Sequence, residues 1–112
     1  IAASLMGPSD VILFVSYSGS THDMMDTLSV AKKTGAKIIL ITHYPDAPGT
    51  ALADVVLLCG ALETPLDGGS IPVKVSELFV AESLIMRYLL DNRELAKIAR
   101  DKTSVAMVAK FL

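Results

Sequence analysis

A three-layer α/β/α domain built on a parallel sheet is the fold class this sequence predicts, and three observations carry the expectation. Three apolar runs of strand length, at residues 10–16, 37–42 and 54–59, have no polar alternation, as strands buried on both faces read. The stretch between the first two changes to a helical period. The links are short, so strand, crossover and strand must follow as right-handed parallel units, in a sheet that is doubly wound or close to it.

Each element follows from its residues. Asp10-Val-Ile-Leu-Phe-Val-Ser16 is bounded by Gly7-Pro8-Ser9 before it and by a Ser-Gly pair after it. From Thr21 onward, Thr21, Met24, Met25, Leu28 and Ala31 share one helical face until Gly35 supplies a C-terminal stop. Ser20, with Asp23 three residues on, is the expected N-cap. Lys37-Ile-Ile-Leu-Ile-Thr42 is the second strand, and Tyr44-Pro-Asp-Ala-Pro-Gly49 is a loop. Thr50 to Ala53 allows one helical turn before the third strand, Asp54-Val-Val-Leu-Leu-Cys59. Gly60, Pro65, Gly68, Gly69 and Pro72 mark a long loop of the kind that often carries function. Residues 73–90 form a helix whose polar strip, near Ser76, Ser83 and Arg87, is narrow enough to demand cover on more than one side, by the sheet and by a second subunit. Residues 93–112 read as a further helix through Leu95, Ile98, Ala99 and Val108, with Thr103-Ser104 as the place where it would break. Met24, Met25 and Met86 are packing residues, and Cys59 is core.

Composition removes several classes of function. An apolar content of 52% is ample for one core and excludes a disordered chain. With 20% charged residues and a formal net charge of −2, the chain lacks the basic footprint of a nucleic-acid-binding domain. The single cysteine excludes an intrachain disulfide and a cysteine-rich zinc site, and His22 with His43 gives no metal spacing. No apolar run approaches the roughly 18 residues that span a bilayer, and Ile1 to Met6 has no basic start. A soluble, cytoplasmic domain without cofactor or metal is expected. Three strands are few for a two-sided layer, and Ile-Ala-Ala-Ser-Leu-Met resembles a helix already under way, so residues 1–112 are expected to be part of a larger domain.

The segment Ser16-Tyr-Ser-Gly-Ser-Thr21 lies where a strand ends and a helix begins, on the carboxyl edge of the sheet where open α/β folds bind ligands. First-turn amides and the positive end of the helix dipole face that edge, and Gly19 permits close backbone approach. The hydroxyls of Ser16, Ser18, Ser20 and Thr21 add neutral donors. Such an array suits a phosphate monoester, although an ordinary capped turn has the same spacing. Neither the Gly-Lys-Ser/Thr ending of a nucleotide P-loop nor a dinucleotide Gly-x-Gly-x-x-Gly is present.

The run Asp10-Val-Ile-Leu-Phe-Val-Ser-Tyr-Ser-Gly-Ser-Thr21, with Gly35-Ala-Lys-Ile-Ile-Leu-Ile-Thr42 and Ala53-Asp54-Val-Val-Leu, resembles the SIS, or sugar isomerase, family of phosphosugar-binding domains. The resemblance spans about residues 1 to 91, and Ser-x-Ser-Gly-x-Thr is its most specific part. It implies a flavodoxin-like α/β/α fold in which Ser16, Ser18 and Thr21 donate hydroxyls to the phosphate of an aldose or ketose phosphate. Tyr17, Gly19 and Ser20 would contribute mainly backbone amides. The earlier strand and Gly-rich loop of that family have no counterpart here. The tyrosine in Ser-Tyr-Ser-Gly and the segment Val73-Lys-Val-Ser-Glu-Leu78 are similar to the sensor domains of RpiR-type transcription regulators, in which that segment usually opens with Ser-Arg.

Three functions are therefore expected in order. The first is a phosphosugar sensor, a homodimer or higher oligomer that meets DNA only through a helix-turn-helix segment upstream of Ile1. The second is a sugar-phosphate isomerase using Glu77 or His43 for proton transfer through an enediol; Glu77 stands where some SIS isomerases carry an acid/base, though a glutamate on a helix strip is more often solvated. His43, just past a strand end, could meet a sugar hydroxyl or be a plain loop residue, and His22 is surface. The third is a dimerising remnant that binds no ligand.

Overall fold

In a computed structural model, the structure describes residues 2–60 and 71–111. Strands β1 (Val11–Val15), β2 (Lys37–Thr42) and β3 (Val55–Leu58) form one sheet in the order β1-β2-β3, with both pairs parallel. The registers set Val11 against Lys37 and Ile39 against Val55. The parallel α/β fold is thus as the sequence predicts. Strand order follows chain order without reversal, so the carboxyl edge of the sheet, rather than a switch point within it, positions the site among the described residues.

Helix α1 (His22–Lys33) crosses from β1 to β2 and packs on one face of the sheet. Met24, Leu28 and Ala31, spaced at helical period, meet Ile38 and Leu40 of β2, with Ile12 and Phe14 of β1 packed against them. Leu28, Ile38 and Leu40 have no exposed surface at all. α1 stops at Thr34, and Gly35 follows at φ 85° with its N–H on the Lys32 carbonyl. A 3-10 helix, Pro48–Ala51, takes the place of the turn expected over Thr50 to Ala53; Pro48 opens it because its fixed φ suits a first helical position. Two aspartates just ahead of strands β1 and β3 staple the local chain: the Asp54 carboxylate accepts the Ile38 N–H at 2.8 Å, and that of Asp10 accepts the Gly7 N–H at 2.8 Å.

On the opposite face Ile41 is fully buried, and Val15 borders a cavity lined by the first turns of helix α2 (Ile71–Asp91). Val11, at the far end of β1, is 56% exposed. The long loop expected over Gly60 to Pro72 falls mostly on residues 61–70, outside the described residues. Ile71 and Pro72 already belong to α2, because a first-turn proline forfeits no helical hydrogen bond. Helix α3 (Arg93–Phe111) runs unbroken through Thr103, whose hydroxyl donates back to the Ala99 carbonyl at 2.9 Å and so needs no break in the helix.

The chain divides into two compact units, Ile1–Ala81 and Glu82–Leu112. The first holds the sheet, α1 and the opening turns of α2. The second holds the rest of α2 and α3, whose side chains from Arg93 to Lys110 are exposed apart from a half-buried Ala96. No helix among the described residues is long and apolar enough to cross a membrane.

Candidate phosphate cradle at the carboxyl edge

The ladder between β1 and β2 runs on past the strands into the loop. Ser16 N–H donates to the Ile41 carbonyl at 2.9 Å, and His43 N–H donates to the Tyr17 carbonyl at 3.1 Å. The first two residues of the Ser16 to Thr21 segment are therefore tied to β2 although β1 ends at Val15, and the chain bends over Tyr17 to Gly19. Gly19 makes that turn at φ 63°.

Neighbours from β2 and the following loop close against the turn. The Thr42 side chain, wholly buried, donates its Oγ1 hydrogen to the Tyr17 carbonyl at 3.0 Å. Gly49 N–H donates to the Gly19 carbonyl at 2.8 Å. A Cβ built on Gly19 would lie 2.6 Å from the Ala47 Cβ and 2.8 Å from Thr42 Oγ1. The position thus requires glycine both for its left-handed backbone and for space. Thr42, Ala47 and Gly49 are site residues that sequence reasoning missed; the small residues of the Tyr44 to Gly49 loop were the available signal.

Two serines brace the loop internally. Ser16 Oγ accepts the Gly19 N–H at 3.1 Å, and Ser18 Oγ accepts the Ser20 N–H at 3.4 Å. Each hydroxyl keeps its own hydrogen for a ligand. The expected cap at Ser20 is corrected: the N-cap of α1 is Thr21, extended at φ −67° and ψ 145°, and it makes no side-chain cap bond. With no side chain folded over them, the first-turn amides, which lack intrahelical partners in any helix, are left to solvent or an anion at the positive end of the dipole. Ser20 and Thr21 are exposed, as access requires.

His43 and Glu77 both stand near this edge. The His43 ring stacks on that of Tyr17 with centroids 4.9 Å apart at 11°, and its Nδ1 lies 2.9 Å from the Cys59 carbonyl. Glu77, half-buried, shares with Lys74, Leu78, Ala81 and Val15 an open cavity of about 380 Å³ that starts at the residue before the cradle. Burial, then the Glu77 charge, pushes the Cys59 thiol above its ordinary pKa, which keeps it protonated at neutral pH and unreactive. His22 is exposed, as expected. Among the described residues no three His, Cys, Asp or Glu side chains gather as a metal site would need.

A parallel sheet that presents a serine-rich turn and an uncapped helix at its carboxyl edge defines an α/β domain suited to phosphate. The family model of the SIS domain matches residues 2–87, and the chain belongs to that family. It is 38% identical over 103 residues to the HTH-type transcriptional regulator RpiR of Escherichia coli K12, covering 92% of this chain and 35% of the regulator. It is 32% identical over 91 residues to 3-hexulose-6-phosphate isomerase of Mycobacterium gastri, covering 76% of this chain and 46% of the enzyme. The Vibrio vulnificus NanR protein, solved in complex with ManNAc-6P, superposes with a TM-score of 0.82 at 25% identity, covering 96% of this chain and 41% of that one. The chain thus spans about a third of the regulator's length.

Proposed function

We propose that the chain is the phosphosugar-binding sensor portion of a cytoplasmic transcription regulator, a partial SIS domain whose DNA contacts lie in a segment outside it. The observation that carries this reading is the Ser16 to Thr21 turn, pinned by β2 and leading into an uncapped α1. Ser16, Ser18 and Thr21 offer hydroxyls to the phosphate; the amides expected from Gly19 and Ser20 donate instead to Ser16 Oγ and Ser18 Oγ, so these two residues and Tyr17 shape the loop around it. Likeness to RpiR and to sugar-phosphate-bound NanR supports the assignment.

Hydrogen bonds to a charged phosphate contribute about 1.5 to 3 kcal/mol each. Ser18→Ala and Thr21→Ala should each weaken hexose 6-phosphate binding by about ten- to a hundred-fold, measured by calorimetry on the full-length protein, with the fold intact. Wild-type affinity in both variants would remove the cradle. The isomerase relative and the cavity shared by Glu77 and Lys74 favour a second reading, aldose-ketose isomerisation with Glu77 as acid/base. Turnover that disappears in Glu77→Gln would establish it, whereas a sensor shows no turnover and binds normally in that variant.

We also infer self-association through α2, whose Val75, Leu78, Phe79, Ile85, Met86 and Tyr88 are all exposed, Phe79 at 72%. Leaving so many large apolar groups in water is costly, and a second copy would cover them. Light scattering at tens of micromolar should give a dimer or larger species, and Phe79→Glu should shift it toward monomer. A monomeric wild type would refute the idea.

A further inference from the structure

The geometry points to His43 as a positioning residue of the phosphate cradle, acting through Tyr17, an inference that rests on the phosphosugar reading and extends it to the second shell of groups behind the loop. Four contacts among the described residues join His43 to its surroundings. Its backbone N–H donates to the Tyr17 carbonyl at 3.1 Å, and its ring lies nearly parallel to the Tyr17 ring at 4.9 Å. Its Nδ1 lies 2.9 Å from the Cys59 carbonyl; a carbonyl only accepts, so Nδ1 carries the hydrogen and the ring is tied to the end of β3. Tyr44 closes the group edge-on, 4.9 Å from His43 and 5.6 Å from Tyr17.

The consequence is mechanical. Tyr17 opens the bend that shapes the cradle, and its carbonyl is held by the His43 N–H. With its ring stacked on an imidazole that is itself bonded to the Cys59 carbonyl, Tyr17 is held through its side chain as well as through its carbonyl. Sequence offers His43 as a group that meets a sugar hydroxyl or moves a proton, or as a plain loop residue; the ring plane lies against Tyr17, and one nitrogen is already committed to the backbone. Stacked aromatic pairs contribute enough to change affinity several-fold when they hold a binding loop.

The test uses inorganic phosphate as the probe and amide NMR of the chain as the readout, so that sugar contacts do not enter. His43→Ala should weaken phosphate binding about five-fold, Tyr17→Ala by a similar factor, and the double variant no more than Tyr17→Ala alone, because the two rings act as one unit. His43→Phe, which keeps the stack and loses the Cys59 bond, should recover part of the loss. In wild type, long-range nitrogen spectra should show the hydrogen on Nδ1. Unchanged phosphate binding in His43→Ala, or losses that multiply in the double variant, would overturn the proposal. If wild-type cradle amides ignore phosphate altogether, the phosphate reading fails on its own. The positioning role is then decided without ligand: Ser18, Gly19 and Ser20 amides that shift or broaden in His43→Ala support it, and amides identical to wild type refute it.

Discussion

Gly19→Ala is expected to reduce phosphosugar binding more than a hundred-fold, the largest functional loss any single methyl group should cause in this protein. Two independent penalties meet there. An alanine at φ 63° sits in the left-handed region, which costs about 1 kcal/mol for a residue with a Cβ. That Cβ would also fall 2.6 Å from the Ala47 Cβ and 2.8 Å from Thr42 Oγ1, and neither neighbour is a flexible chain end; Thr42 is wholly buried. The turn must move away from β2, which breaks the 2.8 Å bond from Gly49 N–H to the Gly19 carbonyl and tilts the amides and hydroxyls that face the anion. Losing two charge-assisted contacts at about 1.5 to 3 kcal/mol each exceeds a hundred-fold. Calorimetry on the full-length protein measures it, and a wild-type dissociation constant would mean that the phosphate does not sit on this turn.

Gly49→Ala is expected to produce the largest loss of stability, about 2 to 4 kcal/mol, seen as a fall of roughly 10 to 20 °C in the thermal midpoint. The added methyl would meet Met24 Cε at 2.7 Å, the Gly19 carbonyl oxygen at 2.9 Å and Leu40 Cδ2 at 3.1 Å. Met24 can flex at its tip, but it is core, on the buried face of α1 with Leu40 of β2 in the same cluster. The Gly19 oxygen cannot yield without surrendering its hydrogen bond. The strain therefore spreads into both the core and the cradle, so phosphate affinity should fall together with the midpoint. A midpoint within 2 °C of wild type, by calorimetric or circular-dichroism melting, would show that the Pro48–Ala51 turn is not packed as described.

The two substitutions share a physical origin. Cradle and core are not separate layers here: a Cβ on Gly19 would run into Ala47, one on Gly49 would run into Met24 and Leu40, and Met24 is on the helix that the cradle starts. The shape of the proposed cradle therefore draws on packing one layer below it.

What the sequence determined by itself is what short stretches encode. Unbroken apolar runs in Val11 to Val15 and Ile38 to Ile41 specify strands of a parallel sheet, although burial on both faces holds for β2 and not for β1, where Val11, Leu13 and Val15 stay exposed. The spacing of Met24, Leu28 and Ala31 specifies the face of α1 that meets them. A serine-rich turn between strand and helix marks where the sequence leads one to expect an anion. These signals survive in one chain because each needs only residues within a turn or two of one another. Only the tertiary structure decided which distant residues stand behind that turn. Thr42 and His43 reach Tyr17 from 25 and 26 positions away, Gly49 reaches Gly19 from 30, and Cys59 receives the His43 ring from 16. Which of them meet depends on strand register and on the path of the Tyr44 to Gly49 loop, neither of which leaves a local period in the sequence. The cap shows the same limit at shorter range: Ser20 and Thr21 are both capping residue types, and only the backbone angles show that Thr21 is the N-cap and that it makes no side-chain cap bond.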